Sequence, residues 1–283
     1  MNKHLKKAVK IITASAVIAA AGAVYSHADD SRLSCPHYTV SSDKVKDNIR
    51  LAQISDLHGH CYGNGQSELI AMISKCSPDA VVLTGDIFDD RVGDRDAYRL
   101  INSLKGTYRC LYVSGNHECK SGHLEETKAC LRECGVEVLE GDTAVLKKGS
   151  TEIKISGVDD VCIDRFTSPG MFMSQFNKCN KESDQFSVLL SHRPELTELY
   201  RGSDFDLILS GHAHGGQWRI PGLINGLLAP NQGFFPKYAG GRYELGGSSL
   251  IISRGLQKGT SYLPRIYNRP ELVIVDICHS ETA

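Results

Sequence analysis

The chain lacks any marked imbalance of charge. Its 32 Lys and Arg stand against 33 Asp and Glu, a formal net charge of −1, so bulk electrostatics give no footprint for a nucleic acid partner. It has ten cysteines but no Cys-x-x-Cys pair, which argues against a zinc ribbon or a thioredoxin-type site. No internal repeat or low-complexity tract is present. With 41% hydrophobic and 23% charged residues, the composition excludes a disordered chain or a coiled coil. No linker is visible after residue 28, so residues 29–283 read as one domain.

The first 28 residues differ from the rest. Lys3, Lys6, Lys7 and Lys10 form a basic start, Ile11 to Tyr25 is an uncharged and mostly apolar run, and Ser26-His27-Ala28 follows. This pattern predicts a secretory signal removed before Asp29 or, uncleaved, an N-terminal membrane anchor. No twin arginine precedes the run, which favours the general secretory route. Removing four Lys from a net charge of −1 leaves −5. The expectation is a mildly acidic domain exported beyond the cytoplasmic membrane: secreted, wall-associated or membrane-associated. In such a compartment some cysteines pair, whereas a large core would hold them as small apolar residues. Both readings stand at this point.

Five short apolar runs alternate with stretches of helical spacing. Ile49–Ile54 ends at Ser55-Asp56-Leu57-His58. Ala80–Leu83 ends at Thr84-Gly85-Asp86, and Cys110–Val113 ends at Gly115-Asn116-His117-Glu118. Phe186–Leu190 ends at Ser191-His192, and Leu207–Leu209 ends at Gly211-His212-Ala213-His214. Each predicted strand therefore stops at Asp, Asn or His. Loops at the carboxyl ends of strands converge in α/β sheets and build sites there. The expected fold is α/β: a layered sandwich of two mixed β-sheets flanked by helices, with the site at strand carboxyl ends. Residues 221–247, rich in Gly, Pro and aromatics, read as ordered loop.

Asp56-x-His58 and His212-x-His214 are i, i+2 pairs, whose members face one side if the backbone is extended. The candidate donors are Asp56, His58, Asp86, Asn116, His192, His212 and His214. Four imidazoles are too many for magnesium, and mixed nitrogen and oxygen donors suit Mn, Fe, Co, Ni or Zn. Seven donors exceed one tetrahedral zinc, but suit two ions sharing a carboxylate. Two divalent cations less two carboxylates leave a charge of +2, which suits an anionic substrate and a hydroxide nucleophile. That chemistry is phosphate ester hydrolysis.

The ordered set Asp-x-His, Gly-Asp, Gly-Asn-His-Glu, His, Gly-His-x-His resembles the calcineurin-like metallophosphoesterase superfamily. The later text "GHAHGGQW", "LLAPNQGFFPKY" and "NRPELVIVD" is similar to its bacterial YkuE/YaeI-like branch. The resemblance implies that Asp56, His58 and His214 hold a first metal, that Asn116, His192 and His212 hold a second, and that Asp86 bridges. It implies two divalent transition-metal ions, with manganese favoured for activity. His117 would protonate the leaving oxygen. As adjacent extended residues, Asn116 and His117 would face opposite ways. Glu118 and Asp89 would orient imidazoles. In purple acid phosphatases an iron-binding Tyr occupies the position of Asp89, so that branch does not fit. Metallo-β-lactamases carry a His-x-His-x-Asp-His block, and this chain has none.

The expected reaction is hydrolysis of a phosphodiester or pyrophosphate by a metal-activated hydroxide. The branch invites a lipid-linked substrate of the UDP-diacylglucosamine kind, and a membrane surface as a partner. Phe234 and Phe235 would wall such a substrate and Arg254 would meet its phosphate, with Arg265 and Arg269 as further candidates. The alternative is a metal-binding scaffold of the same fold without catalysis.

Overall fold

The structure is a computed structural model and describes residues 31–89, 93–166, 169–259 and 264–280. The expected signal or anchor at residues 1–28 lies outside the described residues. Among these, no helix is long and apolar enough to cross a membrane.

Fourteen strands are present among the described residues. The first five are β1 (His37–Ser42), β2 (Ile49–Ile54), β3 (Ala80–Thr84), β4 (Cys110–Val113) and β5 (Glu137–Val138). Then come β6 (Asp142–Lys148), β7 (Thr151–Gly157), β8 (Phe186–Leu190) and β9 (Leu207–Ser210). The last are β10 (Leu228–Ala229), β11 (Gly233–Phe234), β12 (Gly241–Leu245), β13 (Ser248–Ile252) and β14 (Val273–His279). They form two six-stranded sheets, ordered β1-β14-β2-β3-β4-β5 and β12-β13-β9-β8-β7-β6, and a small β10-β11 hairpin. Both sheets are mixed. β2, β3 and β4 run parallel, as do β7, β8 and β9, while β14 and β2, and β6 and β7, pair antiparallel.

Alternation along each strand explains the layers. Leu51, Val82 and Leu111 of one sheet pack between the sheets against Ile153, Val188 and Leu209 of the other. Their neighbours Ala52, Val81 and Tyr112 point outward and are covered by Leu69 and Ile73 of the helix Ser67–Cys76 and by Leu100 and Leu104 of the helix Arg95–Leu104. On the far side, Leu189, Ile208 and Leu250 meet Phe172 and Phe176 of the helix Met171–Cys179. The central strands of both sheets are thus buried on both faces, which accounts for runs that read as continuously apolar. The architecture is the layered α/β sandwich that the sequence indicated.

Two local expectations change. Residues 221–247 are not loop throughout: they hold β10, β11 and β12. In β12 the burial alternates along Gly241-Arg242-Tyr243-Glu244-Leu245, the pattern of a strand with one face toward solvent. The ten cysteines are all free thiols, of which Cys110, Cys119 and Cys179 are buried. The small-apolar reading describes those three.

Candidate metal centre

The carboxyl ends of β2, β3 and β4 meet those of β8 and β9 across the gap between the sheets. Buried Gln53 of β2 ties the two together, with Nε2 donating to Thr84 Oγ1 at 3.0 Å and to Ser210 O at 2.9 Å. The backbone turns sharply there. Asp56, His58, Asp86, His212 and His214 all adopt positive φ, between 47° and 64°. These are non-glycine residues in a region that costs energy, and such positions gather at functional sites. The i, i+2 pairs are therefore not extended, as the sequence suggested. Left-handed turns, not strand pleating, bring each pair inward.

The donor atoms fall into two clusters. One atom each from Asp56, His58 and His214 lie within 4.8 Å of one another, and so do one each from Asp86, His192 and His212. All six residues are buried. Asp86 Oδ2 lies 3.1 Å from His192 Nε2 and 3.7 Å from His58 Nε2, so one carboxylate oxygen reaches toward both groups. Asn116 joins the second cluster, its side-chain amide 2.7 Å from His212 Nδ1.

Two glycines permit this crowding. A Cβ on Gly115 would stand 2.1 Å from Asp86 Oδ1, and one on Gly211 would stand 1.9 Å from Ser55 Oγ and 2.4 Å from Asp56 Oδ2. Any side chain at either position would push a carboxylate out of place.

Partners outside the clusters select the inward nitrogen of His58, His192 and His212. His192 Nδ1 donates to Thr84 O at 2.8 Å, leaving Nε2 toward Asp86. His58 Nδ1 sits 2.6 Å from Asp89 Oδ2, the carboxylate–imidazole pairing that fixes a ligating tautomer. His212 turns the other way, with Nδ1 3.2 Å from His192 Nε2 and Nε2 3.0 Å from Asn231 Oδ1. Glu118 behaves differently from the expectation. It contacts backbone, not an imidazole, and accepts the N–H groups of Asp86, Ile87, Phe88 and Gly115 at 2.7–3.1 Å. It fixes the loop that carries Asp86, while burial and the Asp86 charge push its own carboxyl up to about 7. Glu118→Ala would strand four buried donors. At about 1–3 kcal/mol for each unsatisfied group, the loss should reach at least about 3 kcal/mol in denaturant unfolding. An unchanged midpoint would remove this role.

The electrostatics divide the imidazoles. Burial and the charge of His192 hold His212 down to about 3, and burial with His58 holds His214 well below its usual range. Both present lone pairs. For His192, burial opposes charging, but Asp86 and Asp56 outweigh it and lift the ring to about 10. Asp86 is likewise held well below the carboxylate range: burial opposes ionisation, and His192 and His58 overcome it.

These residues fit divalent cations. The buried atoms His58 Nε2 and Asp86 Oδ2 face each other with no hydrogen-bond partner.

His117 sits at the edge, its ring 4.5 Å from that of His58 and its Nδ1 3.5 Å from Asp89 Oδ2. Asn116 and His117 begin a helix, Asn116–Lys120, and are not extended. Their separation comes from the roughly 100° between successive helical residues, not from strand alternation. Arg254 lies in an ion pair with Glu271 and has Ser34 Oγ 3.4 Å away. Arg265 is buried, with Nε and Nη1 unpartnered. Phe234 and Phe235 are exposed.

Sequence reasoning missed three residues here. Buried Arg193 pairs with Asp160 through Nε and Nη2, and Nη1 reaches Asn231 Oδ1 at 2.8 Å and His212 Nε2 at 3.0 Å. The signal was present. β7 also ends in acid, at Val158-Asp159-Asp160, a sixth strand end of the same kind, and Arg193 directly follows His192.

Comparison with known proteins agrees with this geometry. The calcineurin-like phosphoesterase family profile matches residues 49–216. An uncharacterised metallophosphoesterase of Campylobacter jejuni is 30% identical over 245 residues, covering 84% of this chain and 61% of that protein's length. The uncharacterised metallophosphoesterase YkuE of Bacillus subtilis is 27% identical, with 96% of each chain covered. Phosphodiesterase YaeI of Escherichia coli is 27% identical over 75% of this chain and 74% of its own. The matched span takes in all five donor-bearing strand ends, and the chain belongs to the calcineurin-like phosphoesterase family.

Proposed function

We propose that this protein hydrolyses a phosphodiester or pyrophosphate bond at a dinuclear metal centre. The observation that carries this reading is the pair of buried donor clusters joined at Asp86 Oδ2. Asp56, His58 and His214 would hold one ion, and Asn116, His192 and His212 the other, with Asp86 shared between them. When bound, two divalent cations supply phosphoryl charge neutralisation and a nucleophile at neutral pH. The chain's own residues do the rest. Asp89 and Thr84 O set the ring tautomers, Glu118 fixes the Asp86 loop, and His117 delivers a proton to the leaving oxygen. The exposed Lys120 at the mouth offers a cation to an anionic substrate.

The finer reading is a substrate with an apolar, lipid-linked portion, supported by exposed Phe234 and Phe235 beyond the site. Manganese is the ion we expect to support activity. The basic and then apolar N-terminus supports action outside the cytoplasmic membrane.

The test is hydrolysis of bis-p-nitrophenyl phosphate and of p-nitrophenyl phosphate after chelation and reloading with manganese. Diester turnover should return with the metal. Absence of turnover on either ester, with two ions bound, would leave a non-catalytic scaffold.

A further inference from the structure

Seven of the nine large apolar side chains exposed among the described residues lie between positions 218 and 235 or at Tyr267. Leu223 is 79% exposed, Phe234 71% and Phe235 66%. Burial of such groups in the core is the norm, and a concentration of them on one surface marks an interaction site. We propose that this segment is a lip that docks the protein on an anionic lipid bilayer.

The lip is a built structure. Leu227 N donates to Gly216 O at 2.8 Å and Phe235 N to Leu227 O at 2.8 Å. Trp218 Nε1 donates to Pro264 O at 3.0 Å, and Gln232 and Tyr238 exchange side-chain to backbone bonds of 2.8 and 3.0 Å. These bonds leave the apolar tips facing outward. The lip also adjoins the metal centre. It starts four residues after His214, and its Asn231 touches His212 Nε2 at 3.0 Å.

Charge identifies the occupant. Between Trp218 and Tyr238 the chain has no acid and two cations, half-buried Arg219 and exposed Lys237, although the whole chain is nearly balanced. Apolar tips from separate turns, with Lys237 exposed beside Phe234 and Phe235 and no acid among them, match the demands of an anionic bilayer. The side chains enter the acyl boundary, and the cations meet headgroup phosphates. A protein partner would favour a flatter patch with charges of both signs at its rim. The inference rests on the proposed function only in giving a lipid-linked substrate a reason to be reached there.

The chain supplies its own reporter, because Trp218 is its single tryptophan and stands on the lip. Full-length protein is mixed with vesicles of phosphatidylcholine alone or of equal phosphatidylcholine and phosphatidylglycerol. Tryptophan emission is recorded, with brominated acyl chains as quencher. The expected result is a blue shift and quenching on the anionic vesicles, weakened by salt. Ile220→Ser with Leu223→Ser should reduce the partitioning by about tenfold or more, with turnover of bis-p-nitrophenyl phosphate unchanged. Emission that stays unshifted overturns the proposal. This holds whether the protein ignores the vesicles or floats with them through its N-terminus alone. An equal response from the double variant overturns it too. Diester turnover is read separately, so loss of one reading leaves the other intact.

Discussion

Asp86→Ala is expected to abolish two-metal occupancy and lower diester turnover by about 10³-fold or more. A bound metal supplies several kcal/mol of transition-state stabilisation, and each 1.4 kcal/mol is a factor of ten. Asp86 Oδ2 approaches both His192 Nε2 and His58 Nε2. The other oxygen accepts the His117 backbone N–H at 2.8 Å, so the same residue also holds the start of the helix that carries Asn116. Without it, His58 and His192 lose a buried anion that each faces, and the second cluster keeps no carboxylate. Asp86→Asn separates charge from shape, since it keeps one oxygen and the volume. Metal content by elemental analysis, beside the diester assay, reads both effects. Two retained ions with undiminished turnover in Asp86→Ala would refute the shared-ligand role.

The site was legible because its chemistry is concentrated where apolar runs stop. Asp56, Asp86, Asn116, His192 and His212 all follow strands that are buried on both faces, so residue type and position speak together. What the sequence could not convey was backbone conformation. An i, i+2 spacing looks the same in an extended segment and in one with left-handed residues at 56, 58, 212 and 214. Asn116 and His117 likewise look alike in a strand end and in a first helical turn. Elements with one solvated face were harder to read. β6 buries only Ala144 and Leu146 along its length, a weak signal beside the unbroken Phe186–Leu190. Arg193 was passed over because an arginine normally reads as surface. Only the fold shows that Asp160, brought from the end of β7, makes its burial tolerable.

His117→Gln should separate proton transfer from metal binding. Asn116 is 3% exposed and points into the cluster. The His117 side chain keeps 23% of its surface, against 1% for His58 and 0% for His192. It can therefore meet a substrate that the ligands cannot touch on that side. Removing a positioned general acid typically lowers turnover 10²–10⁴-fold. That loss depends on the leaving group. An alkoxide needs a proton as its bond to phosphorus breaks, whereas p-nitrophenolate leaves unaided. The expected outcome is a loss in that range on an alkyl phosphodiester, a much smaller loss on bis-p-nitrophenyl phosphate, and unchanged metal content. A loss of metal would make His117 a ligand instead. Equal losses on both esters, with two ions retained, would show that the ring positions the substrate and donates no proton.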